Sequence, residues 1–455
     1  MLDDLRALLN LAEDDDDDRE LVAAMIGGLG PKEKLPDVEA VRRQLRSGQA
    51  LNDKGTIGDE LDEWLPQLKV RKATRVSYES HVRLYLKPLI GDVRRDRFRV
   101  THLVEMFAKI EDQNAQIEAN NDDRRALLAQ MKATSVRARK RELRAQLAAL
   151  PPFRRPVGPS SQQRILATLR ACLNAAMAQQ RITFNPAAHF TITASRPKPL
   201  VWTFERVAEW ERTGLRPGPV MVWTPVQAGI FLDYVAEHDP EYEAMWHLAV
   251  LRGPRRGEIA GLPWAETDLD AAWAQITEQL TEVEYEVEEG APKSEAGTRT
   301  IPLDAESVRL LRVHRRRQAE ARLKLGDAWV DSGRVFTKPD GSQLRPSWIG
   351  DRFEKLRVAA GLPPIRLHDL RHVAATLMLA AKVDMKVIQE TLGHSALATT
   401  SDLYASVLPE LAVAAAEATA AIVPRRAPRA PEETRGHPMG THATVTDIAA
   451  AGGDH

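Results

Sequence analysis

Along most of the chain the apolar residues recur every three to four positions, which predicts a protein built mainly of helices. From Thr56 onward, Ile57, Leu61, Trp64, Leu65 and Leu68 share one helical face. The stretch TRVSYESHVRLYLKPLIG, starting at Thr74, puts Tyr78, Val82, Tyr85 and Leu86 on one face and leaves Arg75, His81 and Arg83 elsewhere. A third helix is expected over about 101–110. Across 111–150 the apolar set thins to Ile117, Leu127, Leu128, Met131, Leu143 and Leu147 among many charges, the pattern of a helical hairpin or short coiled-coil projection. PPFRRPVGPSS at 151–161 reads as a linker. A helix then starts at Ser160 or Ser161, burying Ile165, Leu169, Leu173 and Met177, and Asn185-Pro186 ends it.

Residues 190–224 carry several prolines and read as a covering extension or interdomain linker. Thr224-Pro225 has the form of a helix start, with Thr at the cap and Pro at the first helical position. Helices are expected to about 262. Over 273–303 the period drops to two, and WAQIT, EVEYEVEE and TRTIPL read as strands. Helices return from 305 to 423, and the Pro-, Ala-, Arg- and Gly-rich tail 424–455 is expected to be disordered. Ahead of all this, residues 1–55 read as short helices around an acidic run at 14–18. The expected fold class is mainly α with a small antiparallel β-sheet, an α+β arrangement.

Composition sharpens the outline in three ways. The 455 residues suffice for two to three domains, and 43% apolar residues allow a large core. The single cysteine, Cys172, excludes a disulfide framework and a thiolate zinc site, and fits a reducing cytoplasm. The N-terminus lacks a basic region followed by an apolar run, so no signal peptide is expected, and no stretch of about eighteen apolar residues occurs, so no membrane span is expected. The net charge of −1 by itself argues against a nucleic-acid binder. It conceals asymmetry, however: residues 1–55 hold 13 acidic and 8 basic residues, while Arg and Lys cluster at 69–99, 132–155 and 309–324.

Candidate chemistry concentrates late in the chain, in LHDLRHVAATLML and ETLGHSALATTSDLY. His368 and Arg371 are three apart, so a helix would point both to one side, where Arg grips a phosphate and His sits beside it. His394 ends a helix in LGH, and Tyr404 follows ten residues later. Taken singly, such a His is more often a cap or a satisfied core group, and such a Tyr is more often packing. Upstream, Arg255 and Glu258 stand three apart in RGPRRGEIAGL, after a Gly-Pro break at a helix start, where an anion is favoured. Alone, that pair reads equally well as a surface salt bridge. Lys293, in APKSEAGTRTIPL, approaches a turn between strands and alone reads as an exposed hairpin lysine.

As an ordered set these segments resemble the tyrosine recombinase (phage integrase) family. GPRRGE resembles its first-arginine box, PKSEAGTRTIPL its β-hairpin lysine box, and HDLRH, LGH and the downstream Tyr its second box. The resemblance covers roughly 224–423 and extends more loosely to 56–190. It implies a SAM-like helical core-binding domain at 56–190 with an insertion at about 111–157, a linker or extension at 191–223, and a catalytic domain at 224–423. These would close on DNA as a clamp. It further implies Tyr404 as nucleophile forming a 3′-phosphotyrosyl intermediate, with no metal, ATP or other cofactor. Arg255 and Arg371 would clamp the phosphate, His368 would take the tyrosine proton or assist the clamp, and Lys293 would protonate the leaving 5′-oxygen. His394 would hold or orient the phosphate, and Glu258 would hold Arg255 or His368 in place. Arg75, His81, Arg83, Arg256 and Arg299 are further DNA-contact candidates.

The implied partners are double-stranded attachment sites, three further copies in a synaptic homotetramer, and an excisionase or host DNA-bending factor. The implied place is the cytoplasm, at the nucleoid. Residues 1–55 lack the short-strand pattern of an arm-binding domain. Two rival readings stand beside an element-borne integrase. One is a chromosomal dimer-resolving recombinase or type IB topoisomerase using the same site. The other is a DNA-binding protein that has lost activity, which would predict a missing catalytic residue. A metal site from His368, His372 and His394 lacks an acidic ligand and has Arg371 beside it.

Overall fold

The computed structural model describes residues 2–11, 16–29, 35–46, 55–194, 197–292 and 297–393. Lys293, His394, Tyr404 and the tail lie outside the described residues. The chain divides into two units, Met1–Pro197 with Leu280–Gly290, and Lys198–Gln279 with Ala291–His455.

The first unit opens with three short helices, Leu2–Asn10 (α1), Asp16–Gly27 (α2) and Val38–Arg46 (α3), which bury Leu8, Val22, Met25 and Val41 against one another. The acidic run thus ends inside a helix, because α2 begins at Asp16. The next helices are Ile57–Gln67 (α4), Lys72–His81 (α5) and Lys87–Ile90 (α6). Thr56 starts α4 with a capping box: its hydroxyl accepts from the Asp59 N–H at 3.1 Å, and Asp59 accepts from the Thr56 N–H at 2.8 Å. Between α5 and α6 the residues Val82–Leu86 form a π-helical turn, with the Lys87 N–H reaching Val82 O. Pro88 follows and has no N–H for the regular ladder, which fits a π-bulge at this point.

Val100–Ala133 (α7) is one long helix, and Arg137–Ala149 (α8) returns along it. Thus the expected third helix and the expected hairpin are continuous. Pro159–Ala178 (α9) completes the unit. Its core is Ile57, Leu61, Val82, Leu86, Leu103, Met106, Ile110, Ile165, Leu169, Cys172 and Leu173 with their neighbours. Met177 is 39% exposed rather than buried, because it sits in the last turn of α9.

The second unit begins earlier than the proline content of 190–224 suggests. Leu200–Val201 (β1) pairs in parallel with Met221–Val222 (β2), and Phe204–Thr213 (α10) lies between them in sequence. Trp202 and Trp223, each following one of these strands, are fully buried. Their indole N–H groups donate to Pro364 O at 3.2 Å and Pro363 O at 3.0 Å. Burying an indole removes about 200 Å² from water, roughly 5 kcal/mol of transfer free energy. Residues 198–223 thus belong to this unit as an extension whose strands and two tryptophans enter its core, while α10 buries no residue.

Pro225–His238 (α11) starts as its Thr-Pro pair indicates, with Thr224 and Gln227 bonded reciprocally. Glu243–Arg252 (α12) is buried along nearly its whole length, and Arg256–Gly261 (α13) follows. Thr267–Asp268 (β3), Trp273–Ile276 (β4), Gln279–Val283 (β5), Glu286–Gly290 (β6) and Arg299–Pro302 (β7) come next. The sheet order is β3-β4-β7, antiparallel, with Ala274 opposite Ile301 and Ile276 opposite Arg299. EVEYEVEE is not one strand. It bends at Glu284 and Tyr285, both at positive φ, to form the β5–β6 hairpin. Ala305–Leu325 (α14), Pro346–Ala359 (α15), Leu370–Ala380 (α16) and Met385–Leu392 (α17) complete the described chain. Among the described residues no helix is long and apolar enough to cross a membrane.

Candidate active site

Helix α12 is the axis of the site. Ala374 and Ala375 on α16 let the two helices approach closely, and α12 ends at Gly253 with φ +60°. A Cβ there would lie 3.0 Å from Ala374 Cβ, Arg371 Cα and Leu392 Cδ2, so glycine is required by both the turn and the packing. This turn presents Gly253 O to Arg371, whose Nη1 donates to it at 3.0 Å.

Arg255 caps α13. Its N–H donates to Glu258 Oε2 at 2.8 Å and its Nη1 to Glu258 Oε1 at 2.6 Å. Glu258 is fully buried and also receives Arg299, at 3.1 Å from Nη1 and 2.8 Å from Nη2. Burial works against ionisation of Glu258. The Arg299 and Arg255 contacts outweigh it and hold the carboxyl below its ordinary range.

All three arginines reach the C-terminal end of α17. Arg299 Nε donates to Thr391 O at 2.7 Å, Arg371 Nη2 donates to Leu392 O, and Arg255 Nη2 lies 3.3 Å from Gly393 O. The last carbonyls of a helix carry its negative pole, so cations are favoured there. Even so, three guanidinium groups gather near one carboxylate, which binds Arg255 and Arg299, for a local charge of about +2. Burial first, then Arg255 and Arg299, push Arg371 down to about 9, still protonated at neutral pH. An anion entering between these groups would relieve that repulsion.

His368 lies in the short turn Leu367–Asp369, one residue before α16, and Arg371 lies in the helix's first turn. The spacing therefore spans a 3₁₀–α junction rather than one helix. Surrounding protein, then Arg371, holds His368 below its ordinary pKa, so it is neutral at pH 7 and able to accept a proton. Its ring meets that of His372 edge-on at 6.1 Å.

Of the eight residues with expected roles near this centre, Arg255, Glu258, His368 and Arg371 are brought together with Arg299. Lys293, His394 and Tyr404 lie outside the described residues. Three of the DNA-contact candidates need correction. Arg299 does not face outward: it shares the inward face of β7 with Ile301 and is spent on Glu258 and main-chain carbonyls. Arg75 caps α4, donating to Leu65 O at 3.1 Å and to Leu68 O. His81 is half-buried, its Nδ1 2.8 Å from Thr168 Oγ1. Arg83 and Arg256 are exposed.

The histidines give the unit a defined acid response. Burial lowers His372 to about 4, and it lowers His247, His314 and His368 in the same direction. In the unfolded chain these rings take protons near pH 6.5, which the folded chain refuses. Stability is therefore whole above pH 6.5 and falls as pH drops toward 4, by up to about 3 kcal/mol for His372. Urea midpoints measured by tryptophan fluorescence should fall over that window, and His372→Gln should flatten the fall. A variant with an unaltered pH slope would sink this account.

Comparison with known proteins agrees with the geometry. Residues 224–410 match the model of the phage integrase family. A tyrosine recombinase XerC-like protein of Caldanaerobacter subterraneus subsp. tengcongensis is 31% identical over 180 residues, 37% of this chain and 46% of that protein. The ICEBs1 integrase of Bacillus subtilis is 25% identical over 187 residues, 41% of this chain and 50% of that one. The chain thus spans half or less of the length of these relatives. In fold it is similar to the Tn1549 transposon integrase solved with transposon right end DNA, with TM-score 0.53, 18% identity, 80% of this chain and 99% of that chain covered. Through residues 224–410 the chain is similar to the phage integrase family, and its relatives include a tyrosine recombinase.

Proposed function

We propose that the protein is a site-specific DNA recombinase that integrates and excises a mobile element through Tyr404. The observation that carries this reading is the cluster of Arg255, Arg299 and Arg371 at the end of α17, the first two held by Glu258, with neutral His368 beside it. Such a centre attracts an anion with oxygens spread in space, and a scissile DNA phosphate has that form.

The step balances without metal or ATP. The Tyr404 hydroxyl, with an ordinary pKa of about 10, gives its proton to His368 and bonds to phosphorus. The bond from phosphorus to the 5′-oxygen breaks, and Lys293 protonates that oxygen. Arg255 and Arg371 hold the non-bridging oxygens as charge builds, and His394 orients the phosphate. Rejoining runs the same steps backward, with the bond energy kept in the phosphotyrosyl link. Residues 56–190 would be the core-binding domain, with four copies in synapsis. The XerC-like relative favours one second reading, a chromosomal dimer-resolving recombinase.

The test uses wild-type protein, a nicked suicide-duplex library and EDTA. A covalent species whose 3′-phosphate maps to Tyr404 is expected. No covalent species, or one through another residue, overturns the proposal. The sequence at the trapped nicks then separates the two readings: element ends support integration, and a chromosomal replication-terminus site supports dimer resolution.

A further inference from the structure

The α7–α8 hairpin separates its charge along its length. Residues 111–123 carry Glu111, Asp112, Glu118, Asp122 and Asp123 and no basic residue. Residues 124–144 carry eight basic residues against Glu142 alone, a net of +7. The acidic half lies next to the unit's core, since Ile110 is the last α7 residue in it. The basic half is the far end. From Ile110 to Ala133 the helix runs on for roughly 35 Å.

The hairpin is a built element. Leu143 packs fully buried, and Asn114 and Val157 exchange hydrogen bonds of 3.1 and 2.7 Å. Asn121 donates to Arg154 O at 2.7 Å, and Arg124 to Pro151 O at 3.0 Å. Arg125 and Arg139 are taken by Asp122 and Glu142. Arg137, Arg141 and Arg144 are exposed and recur at the spacing of one helical face, with Lys140 beside them. No ion pair joins them to another described residue. Like charges three and four apart oppose one another, and basic residues in the first turn oppose the helix dipole. α8 has Arg137, Arg139 and Lys140 there, Arg141 next to it, and no acidic residue in its first turn. Such an arrangement is costly alone and is relieved by a polyanion.

We propose that this tip is a duplex-DNA contact surface that grips phosphates beyond those held at the cleavage centre. The acidic base would keep the duplex off the rest of the rod. The inference rests on the recombinase reading above, because that reading supplies the duplex.

The experiment uses the full chain and a 60-base-pair duplex of random sequence, followed by fluorescence anisotropy from 50 to 200 mM NaCl. Replacing Arg137, Lys140, Arg141 and Arg144 together with Gln should weaken binding roughly tenfold or more at low salt. It should also reduce the slope of log affinity against log salt by about three to four. Replacing the three arginines with Lys should leave both near wild type, because phosphate contact of this kind needs charge rather than a fork. Equal affinity and slope in the Gln variant overturns the proposal. So does a Gln variant that melts below wild type while the Lys variant binds weakly, which would mean that the arginines serve the fold. Wild-type protein that uses these residues on phosphatidylserine vesicles but not on the duplex overturns it as well. Covalent trapping at Tyr404 in the Gln variant separates the two claims: trapping with unchanged duplex binding defeats the tip alone, and weakened binding without trapping in wild type defeats the recombinase alone.

Discussion

Arg371→Ala should lower the single-turnover rate of strand cleavage about a thousandfold or more, the usual range for losing a donor that stabilises a charged transition state. The reason is positional as well as electrostatic. Arg371 is fixed between Gly253 O and Leu392 O, so its guanidinium is held in place before any phosphate arrives. Arg371→Lys should cost nearly as much. An ammonium keeps the charge but has no planar fork to span two carbonyls and still meet a phosphate. Duplex affinity should change only a few-fold, because many phosphate contacts share it. Cleavage on a suicide duplex at saturating protein measures the first effect, and anisotropy measures the second. A Lys variant cleaving within tenfold of wild type would remove Arg371 from the phosphate clamp.

Much of this centre was legible in the residues. Arg255 and Glu258 three apart, and Thr224 before Pro225, are local signals, and local hydrogen bonds answer them. The helices of 57–90 and 160–178 were legible because one apolar stripe decides which face is buried. What was misread depended on partners far away in sequence. Proline content left 191–223 open between a linker and a covering extension, and the choice is made by Trp202 and Trp223, which bond to carbonyls about 150 residues later. Arg75 looks like a DNA contact until the open carbonyls at the end of α4 are seen beside it. Arg299 was misread although a signal was present. TRTIPL alternates, and the register that turns Ile301 inward turns Arg299 inward too. A buried arginine requires a buried acid, and Glu258 was already singled out. Gly253 carries no signal of its own, since its need for positive φ and for close approach arises only where α12, α16 and α17 meet.

That pairing sets the second large effect. Glu258→Gln should destabilise the second unit by about 3–5 kcal/mol, the range for removing one partner of a buried ion pair. Arg299 has a side chain only 6% exposed. Without the carboxylate it keeps the carbonyls of Gly297 and Thr391 but loses the charge that compensates it. A glutamine offers one acceptor oxygen, so Arg255 keeps only one of its two contacts, the main-chain N–H or Nη1. The damage should also depend on pH. The Glu258 pKa is depressed, so its contribution is present above the ordinary glutamate range and is lost as pH falls through the folded value. Eight of the nine tryptophans lie in the second unit, so urea unfolding followed by tryptophan fluorescence reports it directly. The companion variant, Glu258→Met with Arg299→Met, removes both charges at similar volume. It should be more stable than either single change, because neither charge is then left buried alone. Cleavage should not recover with it, since Arg255 still lacks its anchor. A Glu258→Gln protein within 1 kcal/mol of wild type, or a double variant as unstable as the sum of its parts, would mean that the carboxylate does not hold these arginines in place.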